Sequence, residues 1–146
     1  MTTYAFWIHG NNVEVQDPNS VIEGRFDWGT QYINRSDNEN WFHFPIPTPV
    51  IIDDVRPPLI RVFVFYNAVT ATINEVRVRD GSRLVTAFTN LNLVGDHSSG
   101  PEDNINSWKI DPPAGIAFGL GISVAAAIPR HQAIIFTTAG ADFQSL

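Results

Sequence analysis

The sequence predicts an all-β domain, an antiparallel β-sandwich of about eight to ten strands, and three observations carry that prediction. The segment LIRVFVFYNAVTATINEVRVRDGSRLVTAF, residues 59–88, is rich in Val, Ile, Phe, Tyr and Thr. It holds Asp80-Gly81 between two alternating runs, which marks a β-hairpin. Apolar runs recur along the chain at spacings near ten residues, separated by clusters of Asn, Asp, Gly and Pro, as in a sandwich or barrel. The ten prolines must sit at edges, strand starts or loops, because proline cannot donate to a ladder.

Taken in order, the strands are expected over 4–9, 23–28, 40–44, 59–68, 72–79, 83–92, 107–111, 115–127 and 132–139. The breaks between them are Asn11-Asn12, Asp17-Pro18, the polar run 35–40, Pro57-Pro58, the loop 95–104 and Pro112-Pro113, all turn-forming compositions. No linker divides the chain, and 146 residues suit one domain spanning 1–146 with enough core to fold unaided. For the hairpin, a three-residue loop at 79–81 places Val76 opposite Leu84 and Val78 opposite Ser82. Val76, Val78, Leu84 and Phe88 then share the buried face, while Glu75, Arg77, Arg79 and Arg83 share the other.

The segment 115–127 is two-sided in an unusual way. Ile116, Phe118, Leu120, Ile122 and Val124 alternate with Ala117, Gly119, Gly121, Ser123 and Ala125. One face is bulky and the other nearly smooth, and a strand without charge is covered on both sides. The smooth face lies either under the chain's own long side chains or against a ligand or neighbouring subunit, since glycine in a strand often marks close approach.

Composition narrows the function. Hydrophobic residues make up 44% and charged ones 16%, which fits a folded globule. The net charge of −6 opposes sequence-independent binding of nucleic acid. Cysteine is absent, so thiolate metal sites, disulfides and a Cys nucleophile are excluded. The first residues, MTTYAFWIHGNN, lack the basic and apolar regions of a secretory leader, and no apolar run reads as a spanning helix. A soluble chain without membrane contact is expected, cytoplasmic by default.

The densest aromatic segment, 26–44, contains Phe26, Trp28, Tyr32, Trp41, Phe42 and Phe44. Alternation puts Trp41 with His43 on one face and Phe42 with Phe44 on the other, so one set builds the core and the other is partly exposed or covered by a loop. Exposed indole and phenol rings stack on the apolar face of a sugar, with Asp, Asn and Arg nearby to hold its hydroxyls. The candidate ligand-binding residues are Trp28, Tyr32, Trp41, His43, Asp27, Arg35 and Asn40. Packing of the same rings into the core is the competing account.

Other signals are weaker. His9, His43, His97 and His131 have no metal-ligand spacing. Asp96-His97 has the composition of a general base pair, but the dipeptide is commonplace. No cofactor motif is present. The loop 95–104 offers oxygen ligands from Asp96, Glu102 and Asp103, the place where calcium could bind, although without EF-hand spacing. Prolines at 45, 47 and 49 favour an extended edge segment.

The strand-and-turn grammar resembles small jelly-roll and related β-sandwich modules, a class that includes carbohydrate-binding modules, lectins and trimeric domains of the tumour-necrosis-factor type. The resemblance is one of pattern over most of the chain. The leading expectation is therefore a non-catalytic ligand-binding module with carbohydrate as ligand, working through segment 26–44. A self-assembling homo-oligomer, packed through the smooth strand or the C-terminal strand, is the second reading. A small cofactor-independent enzyme with His43 or His9 as acid–base in an apolar cavity is the third.

Overall fold

In the computed structural model, which describes residues 1–99 and 105–145, every strand pairing is antiparallel. The strands are β1 (Thr2–His9), β2 (Glu14–Val15), β3 (Val21–Phe26), β4 (Gly29–Asn34), β5 (Asn40–Ile46) and β6 (Leu59–Asp80), followed by β7 (Arg83–Phe88), β8 (Leu93–His97), β9 (Ser107–Ala114), β10 (Leu120–Ala127) and β11 (Ala133–Ser145). Two single 3-10 turns, Gly10–Asn12 and Pro18–Ser20, flank β2.

The spine of the molecule is β6. Sequence reading expects two strands, 59–68 and 72–79, but the structure runs through both as one of 22 residues. At about 3.4 Å per residue such a strand is too long for one small flat sheet, so it bends and serves two layers. Its first half pairs with β11 and its second half with β10. The opposite edge is taken in turn by β9, β8 and β7. One layer is thus β2-β5-β10-β6-β7, and the other brings β4 and β1 onto β11 beside the first half of β6. The expected all-β sandwich is what the chain forms.

The core lies between these layers. Phe42 and Phe44 of β5 meet Phe136 of β11 with ring centroids 5.1 and 5.2 Å apart, and Tyr32 of β4 lies 4.9 Å from Phe42. Val76, Val78, Ile122 and Val124 are completely buried beside them. Each such side chain contributes about 1.5–3 kcal/mol by leaving water.

Two local expectations are corrected. The hairpin after β6 closes with Asp80 opposite Arg83, not through a three-residue loop. A register shift between Val78 and Arg79 then brings Val78 opposite Thr86 and Val76 opposite Phe88. Leu84 consequently faces out with Arg79, 47% exposed, rather than in with the valines. The bulge repairs the alternation that a tight turn alone would break.

The expected strand 115–127 begins only at Leu120. Residues 117–119 form a turn instead, because the buried Asp80 carboxylate accepts hydrogen bonds from the N–H groups of Ala117 (2.9 Å), Phe118 (2.8 Å) and Gly119 (3.2 Å). Phe118 is therefore turned out, 83% exposed. No helix among the described residues is long and apolar enough to cross a membrane.

Candidate functional site

The pairing of β10 with β5 and β6 builds a trough on the outer face of the first layer. Gly121, Ser123 and Ala125 stand opposite Pro45, His43 and Trp41 on one side and Arg79, Arg77 and Glu75 on the other. Neighbouring strands are about 4.8 Å apart. Two rows of tall side chains therefore flank a row with almost none, while Ile122 and Val124 fill the core beneath. The smooth face seen in the sequence is the floor of this trough, and its walls come from the same chain.

Along the floor lie two adjoining hollows that share His43 and Ser123. One, of about 260 Å³, is enclosed by Gln16, Trp41, His43, Arg77, Arg79 and Ser123. The other, of about 310 Å³, is bordered by Glu14, Pro45 and Gly121 at its far end. The five residues of β5 from Trp41 to Pro45 span about 13 Å at the rise of an extended strand, which is longer than one sugar ring.

The side chains of the walls are fixed by one another. Ser123 Oγ lies 2.8 Å from His43 Nδ1, and Gln16 Oε1 lies 2.9 Å from His43 Nε2. An amide oxygen can only accept, so Nε2–H is the donor and Nδ1 accepts from the serine hydroxyl. Partial burial holds His43 below the ordinary imidazole value, in keeping with this neutral form. The Arg77 guanidinium crosses toward β5 and lies over the Trp41 ring, 4.6 Å from its centroid, while its Nε pairs with Glu75. Arg79 donates to the Ser82 carbonyl at 2.8 Å.

The structure separates the residues singled out in segment 26–44. Trp41 and His43 stand side by side in the trough. Trp28 does not join them: it lies at the tip of the β3–β4 hairpin, 46% exposed and stacked on Phe26 at 4.8 Å and 9°, with the exposed Asp27 between the two rings in sequence. Arg35 is also exposed, and its backbone N–H donates to Ser20.

Tyr32 and Asn40 are placed where neither presents a surface to a ligand. Tyr32 is fully buried, its hydroxyl donating to Glu23 at 2.9 Å, and burial first, then Glu23, pushes its ionisation up. Asn40 is 4% exposed and is consumed as a clamp: its amide donates to the Asp17 carbonyl, and its oxygen accepts from the N–H groups of Asp17 and Trp41. A phenol or amide on the inward side of a sandwich strand must spend its polar atoms locally.

Of the weaker signals, His9 and His43 do not share a partner. His9 Nδ1 accepts from the Asn11 N–H and caps the first 3-10 turn. Asp96 accepts from Ser98, while Glu102 and Asp103 lie outside the described residues. Among the described residues no group of three His, Asp or Glu side chains is arranged to hold a metal.

Sequence reading missed Gln16, Glu75, Arg77 and Arg79 as site residues, and offered Gly121 and Ser123 to a ligand only as part of the smooth face. Both of their patterns were visible, the charged face of 75–79 and the smooth face of 121–125. That the two are hydrogen-bonded neighbours was not, because they are more than forty residues apart in the chain.

Residues 1–145 match DUF6623, a family of unknown function, and the chain belongs to it. No curated protein matches it. Among solved structures it is similar to CBM86, a low-affinity xylan-binding module from Roseburia intestinalis, with a TM-score of 0.58, 11% identity and coverage of 97% of this chain and 96% of that one. It is also similar to a family 29 carbohydrate-binding module from Piromyces equi, with a TM-score of 0.52, 10% identity and coverage of 99% and 93%. At such identities the likeness is one of fold: this chain has the β-sandwich of those modules.

Proposed function

We propose that this protein is a non-catalytic carbohydrate-binding module that holds an extended glycan along the β5–β10–β6 trough. The observation that carries the reading is the floor of Gly121 and Ser123 between one wall of Trp41, His43 and Pro45 and a polar wall of Arg77 and Arg79. A sugar has an apolar face and a polar rim, and this arrangement offers one surface to each. That two solved structures with the same sandwich are carbohydrate-binding modules supports the same conclusion.

Of the two other readings raised by the sequence, neither gains support here. Both ring nitrogens of His43 are engaged by Ser123 and Gln16, the arrangement of a wall residue rather than a free acid–base. Of the surfaces that motivated self-assembly, β11 is paired along both edges by β1, β4 and β6, and the smooth strand is the floor of the trough assigned to the glycan.

The test is a glycan array probed with the wild-type chain and with Trp41→Ala, each checked for folding by circular dichroism. Retention by the wild type and at least a tenfold loss in the folded variant is the expected result. Equal retention by both would remove the trough from consideration.

A further inference from the structure

We propose that the trough selects an acidic glycan, with an anionic group on the sugar, carboxylate or sulfate, held by Arg79. This deepens the carbohydrate-binding reading and rests on it. The hydrogen-bonding atoms that remain unspent in the hollow of about 260 Å³ favour such a ligand. A neutral sugar hydroxyl both donates and accepts, so a site built for neutral sugars presents acceptors as well as donors.

Here part of the acceptor capacity is already engaged within the wall. Gln16 Oε1 is taken by His43 Nε2–H, and His43 Nδ1 by the Ser123 hydroxyl. The Glu75 carboxylate is engaged by Arg77 and is not among the residues enclosing this hollow. What faces the space is mostly donor: the Gln16 amide N–H pair, the Arg77 terminal nitrogens, and the Arg79 guanidinium with only Ser82 as partner. Among the described residues the Trp41 indole N–H also has no partner. Against these donors stand three acceptor sites, the two lone pairs of Ser123 Oγ and the second lone pair of Gln16 Oε1.

Charge agrees with the hydrogen-bond inventory. In a chain of net charge −6, two guanidinium groups enclose one hollow of a few hundred cubic ångströms. One is balanced by Glu75; no carboxylate among the described residues forms an ion pair with Arg79. Asp80 follows it in sequence but points to the opposite face, where Arg83 and the 117–119 turn engage it. Glu14, the remaining carboxylate, borders the adjoining hollow. A planar guanidinium with open N–H groups matches two oxygens of a carboxylate or sulfate at once, and the hydroxyls of a neutral ring lack the charge that strengthens such a pair.

The experiment is affinity electrophoresis and titration calorimetry with four probes: oligogalacturonate, its methyl ester, a sulfated galactan oligomer and neutral xylohexaose. The wild type is expected to bind oligogalacturonate or the sulfated oligomer at least tenfold more tightly than the ester and the neutral probe, and to lose that preference in Arg79→Gln. Arg79→Lys, which keeps the charge but not the fork, is expected to fall between them. Which acidic probe binds identifies the anion. If the ester or xylohexaose binds as tightly, or if folded Arg79→Gln keeps the acidic preference, the acidic-glycan inference is overturned while carbohydrate binding stands. If none of the four is bound and an array is also silent, both fall.

Discussion

Asp80 is the clearest case of one side chain fixing geometry some distance from itself. It is 1% exposed, and burial alone raises a carboxyl pKa. The N–H groups of Ala117, Phe118 and Gly119 and the Arg83 guanidinium outweigh that and lower it from 3.8 to about 2. A carboxyl held lower in the folded chain than in the unfolded one stabilises the fold above its unfolded value. The contribution, about 2 kcal/mol, stands in full above the ordinary range near 4 and fades as the pH falls towards 2. Asp80→Ala should cost about 2–4 kcal/mol at neutral pH by orphaning those donors, and the measurement is the urea midpoint. An unchanged midpoint would contradict the assigned role.

His43 has the opposite charge type but the same sign of pH effect. Its lowered pKa means that the unfolded chain binds more protons on the acid side of the ordinary histidine value, so stability falls as the pH drops through that value towards the lowered one. Protonation also converts Nδ1 from acceptor to donor, so the Ser123 hydroxyl must turn from donating to accepting. His43→Gln should flatten the pH dependence of the urea midpoint across that window relative to wild type. A parallel slope in both proteins would rule out His43 as the titrating group.

At the scale of elements, β10 makes the trough because its outward residues are small, not because the strand is unusual in backbone. A Cβ added at Gly121 meets nothing within 4 Å. Gly121→Val should therefore leave thermal stability unchanged or slightly higher, as a glycine replaced at a compatible strand position does, while filling the hollow beside Pro45. Weaker glycan binding with an undiminished melting temperature is expected. Binding that survives would place the ligand elsewhere.

How much of these elements the sequence carried varied with the range of the interaction. The alternation in 75–79 and the smooth run at 121–125 are local periodicities, legible by eye, and both hold in the structure. The hairpin register was misjudged because an unseen bulge between Val78 and Arg79 shifts the pattern by one residue. The strand at 115–119 was misjudged because Asp80, nearly forty residues earlier, takes its N–H groups. Residue types alone could not separate Trp41, on the open face, from Tyr32, on the buried one, since both lie in aromatic strands and only pairing decides which side meets the other layer.

For the whole molecule, the sandwich was legible because it follows from turn chemistry and strand composition, which are written every ten residues or so. The site was half legible: Trp41 and His43 were singled out, but their opposite wall, Arg77 and Arg79, enters only through β10, which hydrogen-bonds to both. Trp28 and Phe26 provide a second exposed aromatic surface at a hairpin tip. The account assigns binding to the trough, so Trp28→Ala should retain the array glycan within about twofold, and Trp41→Ala should lose it.

The most direct test is an amide chemical-shift map of the isotope-labelled protein titrated with the glycan that the array selects. The account predicts shifts concentrated at 41–45, 77–79 and 121–125, together with Gln16, and little change at 26–28. Shifts concentrated at Phe26 and Trp28, with the β5–β10–β6 face silent, would contradict it.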